Sequence, residues 1–390
     1  MPLTTFPSAA EHFKGFRIFD VPYKKVGSHP IQTSVLVPKE ACKGPRPVIV
    51  RFHGGGLVSG TRLHAPWFPP YLLAFAASHR AAVVSPDYRL LPEARGVDIL
   101  ADIASLWAWL FASLHACLLR WDPLGSPAGA DLARVMVSGE SAGGWLALQS
   151  AFLHPARIRA TLAIFPMLDL GDDHFTRGGR PGSARAPTNG GAAGSGAGDR
   201  DRDGDGAGKA VMMGMGALLD AAIVDEYVAA AAREPRRAVS SVTPPGRMEF
   251  SIALFQHGRV GELLGPERRL YPVEELERLG RAGVRLPPLL VVHGTDDTVV
   301  PARGSERFVE AWRWWQPHSA VRLVLRPGEH GFEARASAAE QGWLRDALDW
   351  VAGVWLSGGA VRGERCAAGE LQPRGRSSSA PNPAPRPPAP

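Results

Sequence analysis

Cysteine and asparagine are scarce in this 390-residue chain. Three cysteines, Cys42, Cys117 and Cys366, are too few for a disulfide framework. Sparse thiols suit a reduced, cytoplasmic setting. The two asparagines, Asn189 and Asn382, sit in no Asn-x-Ser/Thr sequon. Between Met1 and Lys14 no basic patch is followed by an apolar core, so no signal peptide is expected. The longest apolar stretch, Leu106 to Leu119, is too short to span a bilayer and contains Ser113 and His115, so stable membrane insertion is not expected. No internal repeat is visible.

A surplus of positive charge is present, but it is not where a partner would need it. The net charge is +6. Segment 177–209 carries six Arg/Lys against four Asp, and segment 357–390 carries five Arg against two Glu. The rest of the chain is therefore nearly neutral, which argues against a nucleic-acid face. Both segments also lack side chains to bury. The first is dominated by Gly, Ala, Arg and Asp, and the second ends in Pro-Ala-Pro-Arg-Pro-Pro-Ala-Pro. Each is expected to be disordered, one as an internal loop and one as a tail.

What remains, residues 1–356, alternates strand-like and helix-like patterns, and an apolar content of 45% supports a sizeable core. Strands are expected at 16–21, 31–37, 47–52, 81–85, 133–138, 159–165, 288–293 and 320–325. Helices are expected at 69–78, 97–116, 142–153, 217–232, 302–315 and 337–355. Within 97–116, Val97, Leu100, Ile103, Leu106, Trp107 and Leu110 fall on one stripe. Runs such as Pro47-Val48-Ile49-Val50 and Leu289-Leu290-Val291-Val292 read as strands buried on both faces. The expected fold is α/β: a mostly parallel eight-stranded sheet flanked by helices. The stretch 169–285, with Met212, Met213 and Met215 and several prolines, interrupts the alternation. It is expected to fold over the strand ends as a cap. It either shapes a pocket there or packs a small core of its own, or both.

Chemistry gathers at the carboxyl ends of strands in such sheets. Gly139-Glu140-Ser141-Ala142-Gly143-Gly144 follows the β-rich Ala133–Ser138 and precedes a helix former. G-x-S-x-G in that setting holds a serine on a sharp strand-to-helix turn. Ser141 is the candidate nucleophile, with Glu140 helping to hold the turn. Phe52-His53-Gly54-Gly55-Gly56 closes the strand before it, and its glycines let backbone amides face a developing oxyanion. Gly55, Gly56 and Ala142 are the candidate oxyanion donors, and His53 is read as structural. No G-K-[ST] follows these glycines, which argues against a phosphate loop. Leu290–Pro301 reads as a strand ending in an acidic loop. Asp297 is favoured there as the triad acid, with Asp296 the second choice. His330, between Glu329 and Gly331 after the last expected strand, is the candidate base. His64, His79, His115 and His154 fall on helices or turns and are read as ordinary. The order Ser141, Asp297, His330 is that of α/β hydrolases.

On these residues the chain resembles the hormone-sensitive-lipase-like (α/β-hydrolase type 3) carboxylesterases. The likeness spans roughly 16–355 and rests on His53–Gly56, Asp87-Tyr88-Arg89-Leu90-Leu91-Pro92-Glu93, Gly139–Gly144, His293–Asp297 and His330-Gly331-Phe332. It implies a serine esterase acting on small-molecule acyl esters with no metal or organic cofactor. It also supports Gly55, Gly56 and Ala142 as the oxyanion hole, and implies a bracing role for Asp87–Glu93. Members often carry a long helical N-terminal cap; here about 15 residues precede the first expected strand, so the lid is expected mainly from 169–285. The 177–209 stretch is foreign to the family pattern. Its Asp199-x-Asp201-x-Asp203-Gly204-Asp205 run is similar to the start of a calcium loop, but Ala210 stands where the closing Glu would be, so calcium binding is rejected. Rival readings are an amidase or peptidase, and a non-catalytic small-ligand receptor on the same fold. Receptors of this kind commonly lose a triad member, and none is missing here. Trp312, Trp314 and Trp315 could serve the core or an interface, so oligomeric state stays open.

Overall fold

The structure, a computed structural model, describes residues 8–177, 211–212 and 215–357. Most of the expected loop 177–209 and tail 357–390 lies outside these residues, as do Cys366, Met213 and the Asp199–Asp205 run.

Among the described residues ten strands occur in order: β1 Phe16–Val26, β2 His29–Pro38, β3 Arg46–Phe52, β4 Ala82–Pro86, β5 Ala130–Glu140, β6 Ala160–Ile164, β7 Val211–Met212, β8 Met215–Gly216, β9 Leu289–Gly294 and β10 Val321–Arg326. Among the described residues the short β7 and β8 pair with each other as a separate two-stranded sheet. The other eight form one sheet in the order β1-β2-β4-β3-β5-β6-β9-β10. β2 runs antiparallel to both its neighbours, β1 and β4, and β4, β3, β5, β6, β9 and β10 are parallel to one another. This is the expected mostly parallel eight-stranded sheet.

The helices are α1 Ala9–His12, α2 Pro70–Ser78, α3 Gly96–Trp121, α4 Ala142–Leu153, α5 Asp173–Thr176 and α6 Ala222–Arg233. They continue with α7 Met248–Gln256, α8 Val260–Leu264, α9 Pro272–Arg281, α10 Ala302–Trp315 and α11 Gly342–Leu356.

Side chains alternate across the strands, and the two faces fill separate cores. Val48, Val50, Val135 and Val137 pack with Ile99, Ile103, Leu106 and Trp107 of α3 and with Trp145 of α4. Their chain neighbours Ile49 and Met136 point the other way, to Leu72 of α2 and Leu348 and Val351 of α11. A third cluster joins Leu289 and Val291 to Leu276 of α9 and to Phe308 and Trp312 of α10. Trp312 is therefore core, while Trp314 stands half exposed.

Several boundaries differ from expectation. β1 runs on to Val26 because Gly27, at φ 58°, turns it back as a hairpin with β2. α6 begins at Ala222 and not at 217. The Gln256 side chain holds the Ala217 carbonyl and the Leu219 amide in a non-helical turn before it. α3 runs to Trp121, so its 26 residues are long and apolar enough to cross a membrane by length and composition alone. That corrects the judgement that the stretch is too short. Its apolar stripe, from Ile99 to Leu118, is buried against the sheet, as befits a core helix. Cys42 and Cys117 are free thiols.

Candidate active site

Five strands deliver their carboxyl ends to one place. Phe52, the last residue of β3, is in register with Gly139 of β5, and Glu140 with Ile164 of β6. β9 and β10 end together, Gly294 beside Arg326.

At the end of β5 the chain turns sharply through Ser141, which adopts φ 56° and ψ −118° and caps α4. A non-glycine residue in this region is strained and needs support from its surroundings. The Ser141 amide donates to Ile164 O (2.9 Å) and its carbonyl accepts from Gly144 N (2.9 Å). The flanking glycines are steric necessities. A Cβ on Gly139 would run into the Gly143 carbonyl, and one on Gly143 into the Phe52 carbonyl.

The loop after β3 comes against this turn. Gly55 and Gly56 adopt φ 109° and 62°. A Cβ on Gly56 would lie 2.6 Å from Ser251 Oγ and 2.9 Å from Phe255 Cε2. The Gly55 and Gly56 amides have no acceptor among the described residues. Ala142 opens α4, so its amide lies outside the intrahelical ladder. His53 sits behind the loop, buried, with its ring stacked on Tyr88 at 4.5 Å. Its Nδ1 lies 2.8 Å from Gly54 O, and Tyr88 Oη donates to His53 O (2.8 Å). Burial pushes its imidazole down to about 3, so it stays neutral. The Asp87–Glu93 segment holds this loop: Leu91 N donates to Leu57 O (2.8 Å), and Asp87 accepts from Arg62 N (2.8 Å) and Arg62 Nη1 (2.6 Å).

Beyond β9 and β10 the two remaining candidates meet. His330 Nδ1 lies 2.7 Å from Asp297 Oδ2. Asp297 Oδ1 accepts from the amides of Val299 (2.9 Å) and Val300 (2.8 Å). The buried His293 Nε2 is 3.3 Å from Asp297 Oδ2 and 2.8 Å from Val300 O. Burial alone would raise the Asp297 carboxyl, but hydrogen bonds from His293, His330 and Val300 N outweigh it and hold Asp297 well below the usual carboxylate range. Asp296 has a different place: its Oδ2 accepts from Gly328 N (2.8 Å). Glu329 Oε1 accepts from Thr298 N (2.8 Å) and Thr298 Oγ1 (2.7 Å), so the acid and base loops are laced together.

Ser141, His330, Gly55 and Gly56 line one pocket, closed further by Trp67, Phe165, Met248 and Phe255. Its cavity volume is about 150 Å³. Met248, Ser251 and Phe255 come from α7, inside the 169–285 stretch. Phe250 and Leu254 of the same helix enter the main core, so α7 both lines the pocket and packs inward. Arg247, at its N-terminus, clamps it to Glu93 with contacts of 2.5 and 3.0 Å.

Sequence reasoning missed three contributors. Arg51 stands in the apolar run Val48–Phe52, and a charge in a strand buried on both faces must be paired; that signal was available. Glu333 and the α7 residues carried no local signal, because only the tertiary fold brings them to the pocket.

A family model described as an alpha/beta hydrolase fold matches residues 49–187. A probable carboxylesterase, M8 of Phoma sp., is 32% identical over 352 residues, covering 88% of this chain and 98% of that protein. Hormone-sensitive lipase of Homo sapiens is 37% identical over 100 residues, 25% of this chain and 8% of that protein. Among solved structures, esterase LipW from Mycobacterium marinum aligns over 90% of this chain and 86% of that one, with TM-score 0.54 and 19% identity, a likeness of fold. The chain belongs to the hormone-sensitive-lipase-like carboxylesterase family of α/β hydrolases.

Proposed function

We propose that Ser141, His330 and Asp297 form the catalytic triad of a serine carboxylesterase acting on acyl esters of small to medium chain. The observation that carries the proposal is the 2.7 Å contact of His330 Nδ1 with Asp297, in a pocket that His330 shares with Ser141. The ionised Asp297 fixes the His330 tautomer, proton on Nδ1, which leaves Nε2 as the base. His330 removes the Ser141 proton as Oγ attacks the ester carbonyl. The tetrahedral oxyanion is held by the amides of Gly55, Gly56 and Ala142. His330 then protonates the leaving alcohol, and water, deprotonated by the same imidazole, releases the acid from the acyl-enzyme.

The 169–285 stretch acts as a cap, through α7, on the acyl or alcohol side of the pocket. Free Cys42 and Cys117 are in keeping with a reducing, cytoplasmic setting. The test is hydrolysis of p-nitrophenyl esters from acetate to decanoate by wild type and Ser141→Ala. Turnover by wild type alone, best on the shorter chains, is expected. Turnover that survives Ser141→Ala would remove Ser141 from the mechanism.

A further inference from the structure

The pocket wall carries a carboxyl group that ester hydrolysis does not use. Glu333, three residues past His330, lines the same pocket as Ser141 and is only 2% exposed. Its Oε2 is buried and has no hydrogen-bond partner among the described residues. The charged groups around it do not satisfy it. Arg51 gives Nε and Nη2 to Glu140 and the Trp67 carbonyl. The Arg51 charge favours an ionised Glu333, but Glu140 and Asp297 oppose it. Burial, with the Glu140 carboxylate next, pushes the Glu333 carboxyl up to about 8, so it keeps its proton at neutral pH.

A buried carboxylic acid has one O–H to donate, and leaving it unpaired is unfavourable. Trp67, Phe165, Met248, Phe255 and Val299 give the pocket an apolar wall, and although Glu140, Ser141, Ser251 and His330 line it too, none of them is hydrogen-bonded to Glu333 Oε2. A hydrocarbon substrate filling the pocket would leave the acid as it stands. A substrate with a suitably placed oxygen would pair it. A cationic group would instead need Glu333 to ionise beside Glu140.

We propose that Glu333 is a specificity-determining residue: its carboxylic acid donates a hydrogen bond to an ether, hydroxyl or keto oxygen in the ester substrate, so the pocket favours oxygen-bearing esters over plain hydrocarbon ones. This rests on the ester-hydrolase reading of the site.

The experiment compares kcat/KM on three isosteric pairs of p-nitrophenyl esters: methoxyacetate with butanoate, 3-methoxypropanoate with pentanoate, and 4-methoxybutanoate with hexanoate. Dividing the ether/hydrocarbon ratio of wild type by that of Glu333→Leu cancels the intrinsic reactivity of each ester. A double ratio of about tenfold is expected for at least one pair. Glu333→Gln, which keeps a donor, should stay within about threefold of wild type on that pair. A wild-type readout needs no variant: the ether/hydrocarbon ratio for that pair should fall between pH 7 and pH 9 as the acid ionises, while His330 affects both esters alike. Double ratios near one for all pairs, or equal losses on ether and hydrocarbon esters, would overturn the proposal and leave Glu333 a support of the fold. A wild type that hydrolyses none of the six and takes no fluorophosphonate on Ser141 would overturn the esterase reading itself.

Discussion

Arg51 and Glu140 form a buried ion pair between β3 and β5, one residue before Ser141, with Arg51 Nη2 2.7 Å from Glu140 Oε2. The same guanidinium donates to Trp67 O (2.6 Å) and lies 4.3 Å over the Phe68 ring. One side chain thus ties together the strand before the oxyanion loop, the strand before the nucleophile and a wall of the pocket. Removing one member of a buried pair strands the other charge. Arg51→Met is expected to lower stability by about 3–5 kcal/mol in urea unfolding. Adding Glu140→Gln should recover a large part of that loss. A single variant as stable as wild type would show that the pair is not holding the turn.

The two adjacent aspartates are separated by their partners. Asp297 faces His330, whereas Asp296 binds the Gly328 amide. Asp297→Asn should lower kcat by about 10³–10⁴ with the fold intact, because the imidazole loses the acceptor that sets its tautomer. Asp296→Asn keeps an oxygen for Gly328 N and should lower kcat less than about tenfold. Steady-state kinetics on one ester decides between them, and the reverse ranking would move the acid role to Asp296.

Gly56 joins two constraints, a φ of 62° and a side-chain wall formed by Ser251 and Phe255 of α7. Gly56→Ala must displace α7 or turn the loop. Loss of one oxyanion donor corresponds to about 10²–10³ in kcat, and a loss of that order is expected with little change in KM. A fall confined to KM would mean that the substitution disturbs only the pocket wall.

Glu333 also links the pocket to the pH dependence of stability. Its carboxyl lies near 8 when folded against an ordinary value of 4.5. Below the ordinary value both states are protonated and its contribution is whole. As pH rises through the folded value that contribution is lost, because the unfolded chain releases a proton that the folded chain retains. Wild type should therefore lose more stability than Glu333→Gln between pH 5 and pH 8.5 in paired urea titrations. Parallel pH profiles would contradict a carboxyl buried in its acid form.

Much of this arrangement is legible in the chain because the signals are local. Val48-Ile49-Val50 and Leu289–Val292 read as doubly buried strands, and the motif residues follow them directly. Gly139 and Gly143 announce a turn that the structure closes against backbone carbonyls. The illegible parts depend on distant partners. α6 starts late because Gln256, more than thirty residues on, holds the chain before it. The pocket role of α7 depends on Arg247 reaching Glu93 across the fold. The short α7 and α8 and the amphipathic α9 were hidden inside a stretch where prolines and glycines break every long period.

The central claim is that Ser141 is the nucleophile and His330 its base. Intact-mass analysis after incubation with a fluorophosphonate tests it most directly. Wild type should gain one phosphonyl group, mapped by peptide analysis to Ser141. Ser141→Ala should gain none, and His330→Ala should react at least about a hundredfold more slowly. Labelling at another residue, or equal rates in wild type and His330→Ala, would contradict the account.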